Sequence, residues 1–138
     1  MQKNSSHFIF LAFLVSLIAT LGSLFFSEIM NFVPCSLCWY QRICIYPLVI
    51  ILGLSFCVDD SKVKLYSYPF AFLGLFLALY HNLLQWKIIP ETIAPCKQGV
   101  PCSLTYINWF GFITIPFLAL VAFLLILLFL KLYKAKED

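Results

Sequence analysis

Four apolar stretches, each about twenty residues long and almost free of charge, limit what this chain can become more than any single motif in it. They run from about Phe8 to Met30, Trp39 to Val58, Leu65 to Trp86 and Asn108 to Leu130, and their only formal charges are Glu28 and Arg42. About 20 apolar residues in a helix cross the hydrocarbon core of a bilayer. Backbone polar groups in lipid must be paired internally, which leaves helices or closed barrels, and no ten-residue alternating pattern is present. The composition agrees, because 63% of the residues are hydrophobic and 11% are charged, too few charges to cover a soluble surface. The expected fold is an all-α integral membrane protein, a single four-helix transmembrane bundle over residues 1–138. The first stretch is longer than the about 7–15 residues of a signal-peptide core and no clear cleavage site follows it, so it is read as a retained helix. There is no repeat, no phosphate-binding glycine loop and no basic patch of the kind that binds nucleic acid. The surrounding partner is the lipid bilayer.

Lysines in short loops mark the cytoplasmic side of a membrane protein. Lys3, the Lys62/Lys64 loop and the Lys131, Lys134 and Lys136 tail all fall on one side of a four-helix weave, so both termini are expected to be cytoplasmic. The opposite side receives the outer loops, 31–38 and 87–107, whose basic residues are only Lys87 and Lys97. Trp39, Trp86 and Trp109 sit where helices meet that outer face, as interfacial aromatics do.

This topology sorts the six cysteines. Cys35, Cys38, Cys96 and Cys102 reach the outer side, where disulfides form and persist, while Cys44 and Cys57 lie within the second helix and read as inert packing thiols. Two static disulfides in a non-enzymatic scaffold, a four-thiolate zinc site and a redox relay all fit the spacing of the outer four. The surroundings of the first pair favour the relay. Cys35 and Cys38 open a helix, whose unpaired N–H groups favour a thiolate, and Arg42 lies four residues beyond Cys38 on the same face.

Arg42 is the only arginine, and ionisable groups inside a membrane segment mark functional sites by default. It lies about 6 Å below Cys38, and His81 in the third helix lies about 7–8 Å below Trp86 at the same end, so the two depths match. Gln85 is four residues beyond His81, and the two helices can therefore present Gln41, Arg42, His81 and Gln85 around one pocket. Thiol oxidation needs an onward electron acceptor, and a flat apolar molecule with two carbonyl oxygens and a lipid tail suits such a pocket. A membrane quinone has that chemistry.

The segments "PCSLCWYQR" and "YHNLLQ", followed by a second outer cysteine pair, resemble the DsbB family of membrane disulfide oxidoreductases, most closely its short BdbC-type branch. The resemblance covers nearly the whole chain. It implies that Cys96 and Cys102 form a redox-active disulfide that takes electrons from an extracytoplasmic thioredoxin-like oxidase (DsbA/BdbD-like), with Cys96 forming the mixed disulfide. It implies further that the Cys35–Cys38 pair reoxidises that disulfide, that Cys38 reacts with ubiquinone or menaquinone, and that Arg42 and His81 bind or polarise the quinone. No metal is implied, and the location is a bacterial cell membrane. A vitamin-K-epoxide-reductase-like enzyme is the nearest alternative, but there the helix-borne pair follows the loop pair, the reverse of the order here. Some family members carry a glutamate at the position of Gln41, and others separate their loop cysteines more widely than the five residues KQGVP found here.

Membrane-impermeant thiol labelling of single-cysteine variants in intact cells tests the orientation. Cys96 is expected to be labelled and a Lys62→Cys variant to be protected, and the opposite pattern would overturn it.

Overall fold

A computed structural model describes residues 2–33, 36–58, 62–88, 90 and 114–133. Four helices account for nearly all of them: α1 (Gln2–Leu24), α2 (Ser36–Val58), α3 (Val63–Gln85) and α4 (Ile115–Leu132). Each is long and apolar enough to cross a membrane, and no strand occurs among the described residues. Consecutive helices pack side by side, and α4 closes the ring against α1. The connections from α1 to α2 and from α2 to α3 are short, as in an up-and-down bundle.

The outward faces carry large apolar side chains: Ile18, Ile50, Leu54, Leu65 and Phe76 are each more than 60% exposed. Such a surface is stable only against hydrocarbon. Inside, burial between helices brings no hydrophobic gain over lipid, so close backbone approach has to hold the bundle together. The buried face of α3 is accordingly small, with Ser67, Ala71, Gly74 and Ala78 spaced three or four residues apart. Phe123 of α4 fills the notch at Gly74, where an added Cβ would fall inside the Phe123 ring. Phe123, Ile126 and Leu130 of α4 join Leu48 and Leu52 of α2 in one central core.

The ends of the helices have local causes. α1 passes at Phe25–Ile29 into a π-helical turn, which ends where Asn31 adopts the left-handed conformation at φ 57°. Asparagine tolerates that region better than most residues, so the chain can reverse here into α2. α2 begins at Ser36, three residues ahead of the start read from the sequence, because Leu37 is already packed against Leu84 of α3. Cys38 therefore sits within the first turn of α2 and not in the loop before it. α3 ends in a Schellman motif: Lys87 N–H bonds the Leu84 carbonyl at 3.1 Å and Ile88 N–H bonds the Leu83 carbonyl at 3.0 Å, with Lys87 at φ 60°. Thr114 caps α4, its hydroxyl accepting from Phe117 N–H, and the residues 108–113 expected to begin this helix lie outside the described residues.

Gly74→Ala is expected to lower stability by about 1–3 kcal/mol through overpacking against Phe123. An SDS unfolding titration from mild detergent measures it, and adding Phe123→Leu should recover part of the loss. An unchanged midpoint for Gly74→Ala would show that the α3–α4 contact does not depend on the missing side chain.

Candidate functional site

A cavity of about 430 Å³ opens near the Cys38 end of the bundle. Its α2 wall is Cys38, Gln41, Arg42 and Ile45, residues spaced at helical intervals along one face. α3 adds His81 and Gln85, one turn apart. The facing side is apolar, formed by α1 and α4 residues such as Ile18, Gly22, Leu118 and Val121. Ile18, Leu118 and Val121 are also exposed on the bundle surface, so the cavity opens sideways between α1 and α4. No carboxylate lines it among the described residues.

Hydrogen bonds fix the polar floor. Gln41 Nε2 lies 3.1 Å from His81 Nδ1, with both residues buried. The Arg42 guanidinium, half-buried, donates from Nη2 to the Ser23 carbonyl of α1 at 2.9 Å and stands 5.2 Å from the centre of the Trp39 ring. An arginine has five N–H donors and no acceptor, so one bond to a carbonyl leaves most of its donor capacity for other oxygens. Ser23 Oγ donates to the Thr20 carbonyl at 2.8 Å, so its 3.1 Å contact with Tyr46 is one in which the Tyr46 hydroxyl donates. Arg42 and Tyr46, one turn apart on α2, thus clamp the residue two positions before the π-helical turn of α1. Interruptions of this kind recur at functional sites.

Of the residues singled out in the sequence, Cys38, Gln41, Arg42, His81 and Gln85 meet at this cavity. Cys35, Cys96 and Cys102 lie outside the described residues, as does Trp109. Trp39 and Trp86 are exposed at the same end. Cys44 is buried in the core, whereas Cys57, expected as a packing thiol, is exposed. The reason is helical phase: thirteen residues at about 100° each place Cys57 on the far side of α2 from Cys44.

Three participants were not anticipated. Ser23 and Tyr46 act through a backbone carbonyl and a hydroxyl on faces that read as ordinary apolar helix. Asn82, fully buried beside His81, donates from Nδ2 to the Ala78 carbonyl at 2.7 Å and to the Pro116 carbonyl at 2.9 Å, tying α3 to the start of α4. A polar amide in the middle of an apolar segment was the signal available for it.

The model of the disulfide bond formation protein DsbB family matches residues 5–133. The chain belongs to the DsbB family. It is 54% identical to disulfide bond formation protein C of Bacillus subtilis strain 168, with 99% of each chain covered. It is 50% identical to the probable disulfide formation protein C 1 of Bacillus anthracis, over 91% of this chain and 90% of that one. It is 48% identical to the probable disulfide formation protein C of Halalkalibacterium halodurans, over 91% and 92% respectively. No solved structure matches the chain. Membership, together with the four spanning helices, makes this a multi-pass membrane disulfide oxidoreductase.

Proposed function

We propose that this oxidoreductase carries electrons from an extracytoplasmic thioredoxin-like dithiol oxidase to a membrane quinone, and so supports disulfide formation in exported proteins. Both termini are cytoplasmic in this reading, and the four outer cysteines face away from the cytoplasm of a bacterial cell. The observation that carries the proposal is the cavity beside Cys38, which joins a donor-rich polar floor to apolar walls open toward lipid.

Each thiol step balances on its own. A partner thiolate attacks the Cys96–Cys102 disulfide to form a mixed disulfide at Cys96. The second partner thiol then resolves it, leaving the partner oxidised and Cys96 and Cys102 as a dithiol. That dithiol reduces the Cys35–Cys38 disulfide by the same exchange. About ten residues lie between Trp86 and Cys96, enough to span about 33 Å if extended, so the loop can deliver its thiols to Cys35. A bound quinone supplies a lipid-soluble acceptor for two electrons and two protons, the number released when the Cys35/Cys38 dithiol closes to a disulfide.

The residues present fit such a molecule. Arg42 and His81 would hold its oxygens, and the cavity volume falls within the range of small-molecule sites. Ile18 and Val121, at the lateral opening, give an apolar tail a path to lipid. Cys38, in the first turn of α2, has the N–H groups of that helix start and the Arg42 charge as support for a negative sulfur. The bond from Arg42 to Ser23 holds the guanidinium beside the cavity, so it does not extend toward headgroups.

Arg42→Met keeps side-chain length but removes the charge and the donors. The apparent quinone KM should rise, or Cys35/Cys38 reoxidation should slow, by about 10- to 150-fold, the range for a charge-assisted hydrogen bond. Single-turnover exchange with a reduced thioredoxin-like oxidase should stay near wild type, because Cys96 and Cys102 lie in another loop. Unchanged quinone kinetics in a folded variant would contradict the assignment of this cavity.

A further inference from the structure

Gln41 lines the cavity and bonds His81 through its amide nitrogen, at 3.1 Å from Nδ1. An amide NH₂ can only donate, so His81 Nδ1 must accept, and the proton of the neutral imidazole then resides on Nε2. We propose that Gln41 is a positioning residue that fixes His81 as the Nε2–H tautomer, so that a residue lining the cavity carries a donor, and no acceptor, at Nε2. This rests on the proposed function for the use to which that donor is put.

The chemistry of the cavity explains why the tautomer matters. Carbonyl oxygens only accept hydrogen bonds, and a ring with its lone pair on Nε2 would meet such an oxygen with repulsion. Arg42 adjoins Gln41 and only donates, and Cys38 is the thiol itself. Ser23 and Ser27 come from α1 and its π-helical turn, Gln85 lies one turn along α3, and α4 contributes apolar lining. Gln41 is hydrogen-bonded to the imidazole at Nδ1. Its position at 7% exposure, one residue from Arg42, holds the amide in place through the packing of α2 on α3.

An amide suits this task because it carries no charge and keeps the same donor whatever the protonation of its surroundings. A carboxylate in its place only accepts. Gln41→Glu would therefore take the Nδ1 proton as its hydrogen bond and leave Nε2 of a neutral ring as an acceptor.

The direct readout is the ¹⁵N NMR spectrum of histidine-labelled full-length protein in nanodiscs without quinone. His7→Gln removes the only other histidine. The expected spectrum has an unprotonated Nδ1 and a protonated Nε2, and Gln41→Glu should move the proton to Nδ1. A protonated Nδ1 in the Gln41 protein, or a spectrum unaltered by Gln41→Glu, overturns the proposal. Gln41→Met supplies a second test that does not need the charged variant to fold. It should raise the quinone KM about 3- to 10-fold beside His81, the range for a neutral hydrogen bond, and have no effect in a His81→Ala background. An equal effect in both backgrounds shows that Gln41 does not act through His81 and overturns the proposal. If His81→Ala itself leaves the quinone KM unchanged, the quinone reading of the cavity fails, while the NMR result still decides the role of Gln41.

Discussion

A guanidinium inside an apolar bundle must find oxygen within reach, because lipid offers none. Arg42 finds it in the Ser23 carbonyl of α1, and the geometry of the site depends on that bond. It draws α1 toward α2 just before the first helix loosens into its π-helical turn, and Tyr46 reinforces the contact one turn below. The same bond keeps a permanent positive charge at the level of His81 and within the cavity that contains Cys38. A lysine could not reproduce the arrangement, since its ammonium lacks the planar fork that lets one group hold a backbone carbonyl and still present donors elsewhere.

The remaining helix contacts separate two jobs. Small residues on α3 let α2 and α4 approach closely, and the Phe123 ring seated over Gly74 belongs both to the core and to the cavity lining. Asn82 holds the beginning of α4 against α3, so α4 starts at a fixed height in the bundle. Polar groups are thereby gathered on α2 and α3, while α1 and α4 supply a mainly apolar approach from the lipid side. Thiol chemistry at one end and a lateral opening to hydrocarbon are the two features that a link between a soluble dithiol and a lipid-soluble acceptor requires.

Much of this was legible in the sequence, for physical reasons. Hydrocarbon demands long uncharged helices, so the four spans stand out; a 1.5 Å rise per residue turns positions 42 and 81 into depths, which brings them together. The exposure of Cys57 could have been read from helical phase relative to Cys44. Ser23 could not, because its contribution is a backbone carbonyl and any residue there has one. Nor could the π-helical turn, which has no composition of its own. The role of Gln41 was hidden for another reason: pattern places its side chain at the pocket, but only a resolved partner atom tells a ligand from a support.

In the proposed function, electrons leave the protein from the Cys35/Cys38 pair into a quinone bound beside Cys38. Fully reduced protein, purified anaerobically in mild detergent and mixed with a short-tailed benzoquinone or naphthoquinone without any partner oxidase, tests it most directly. One quinol is expected for each thiol pair closed, with the reaction retained when Cys96 and Cys102 are both changed to serine and lost in Cys38→Ser. Quinol formation that persists undiminished in Cys38→Ser, or none at all in the folded wild-type protein, would contradict it.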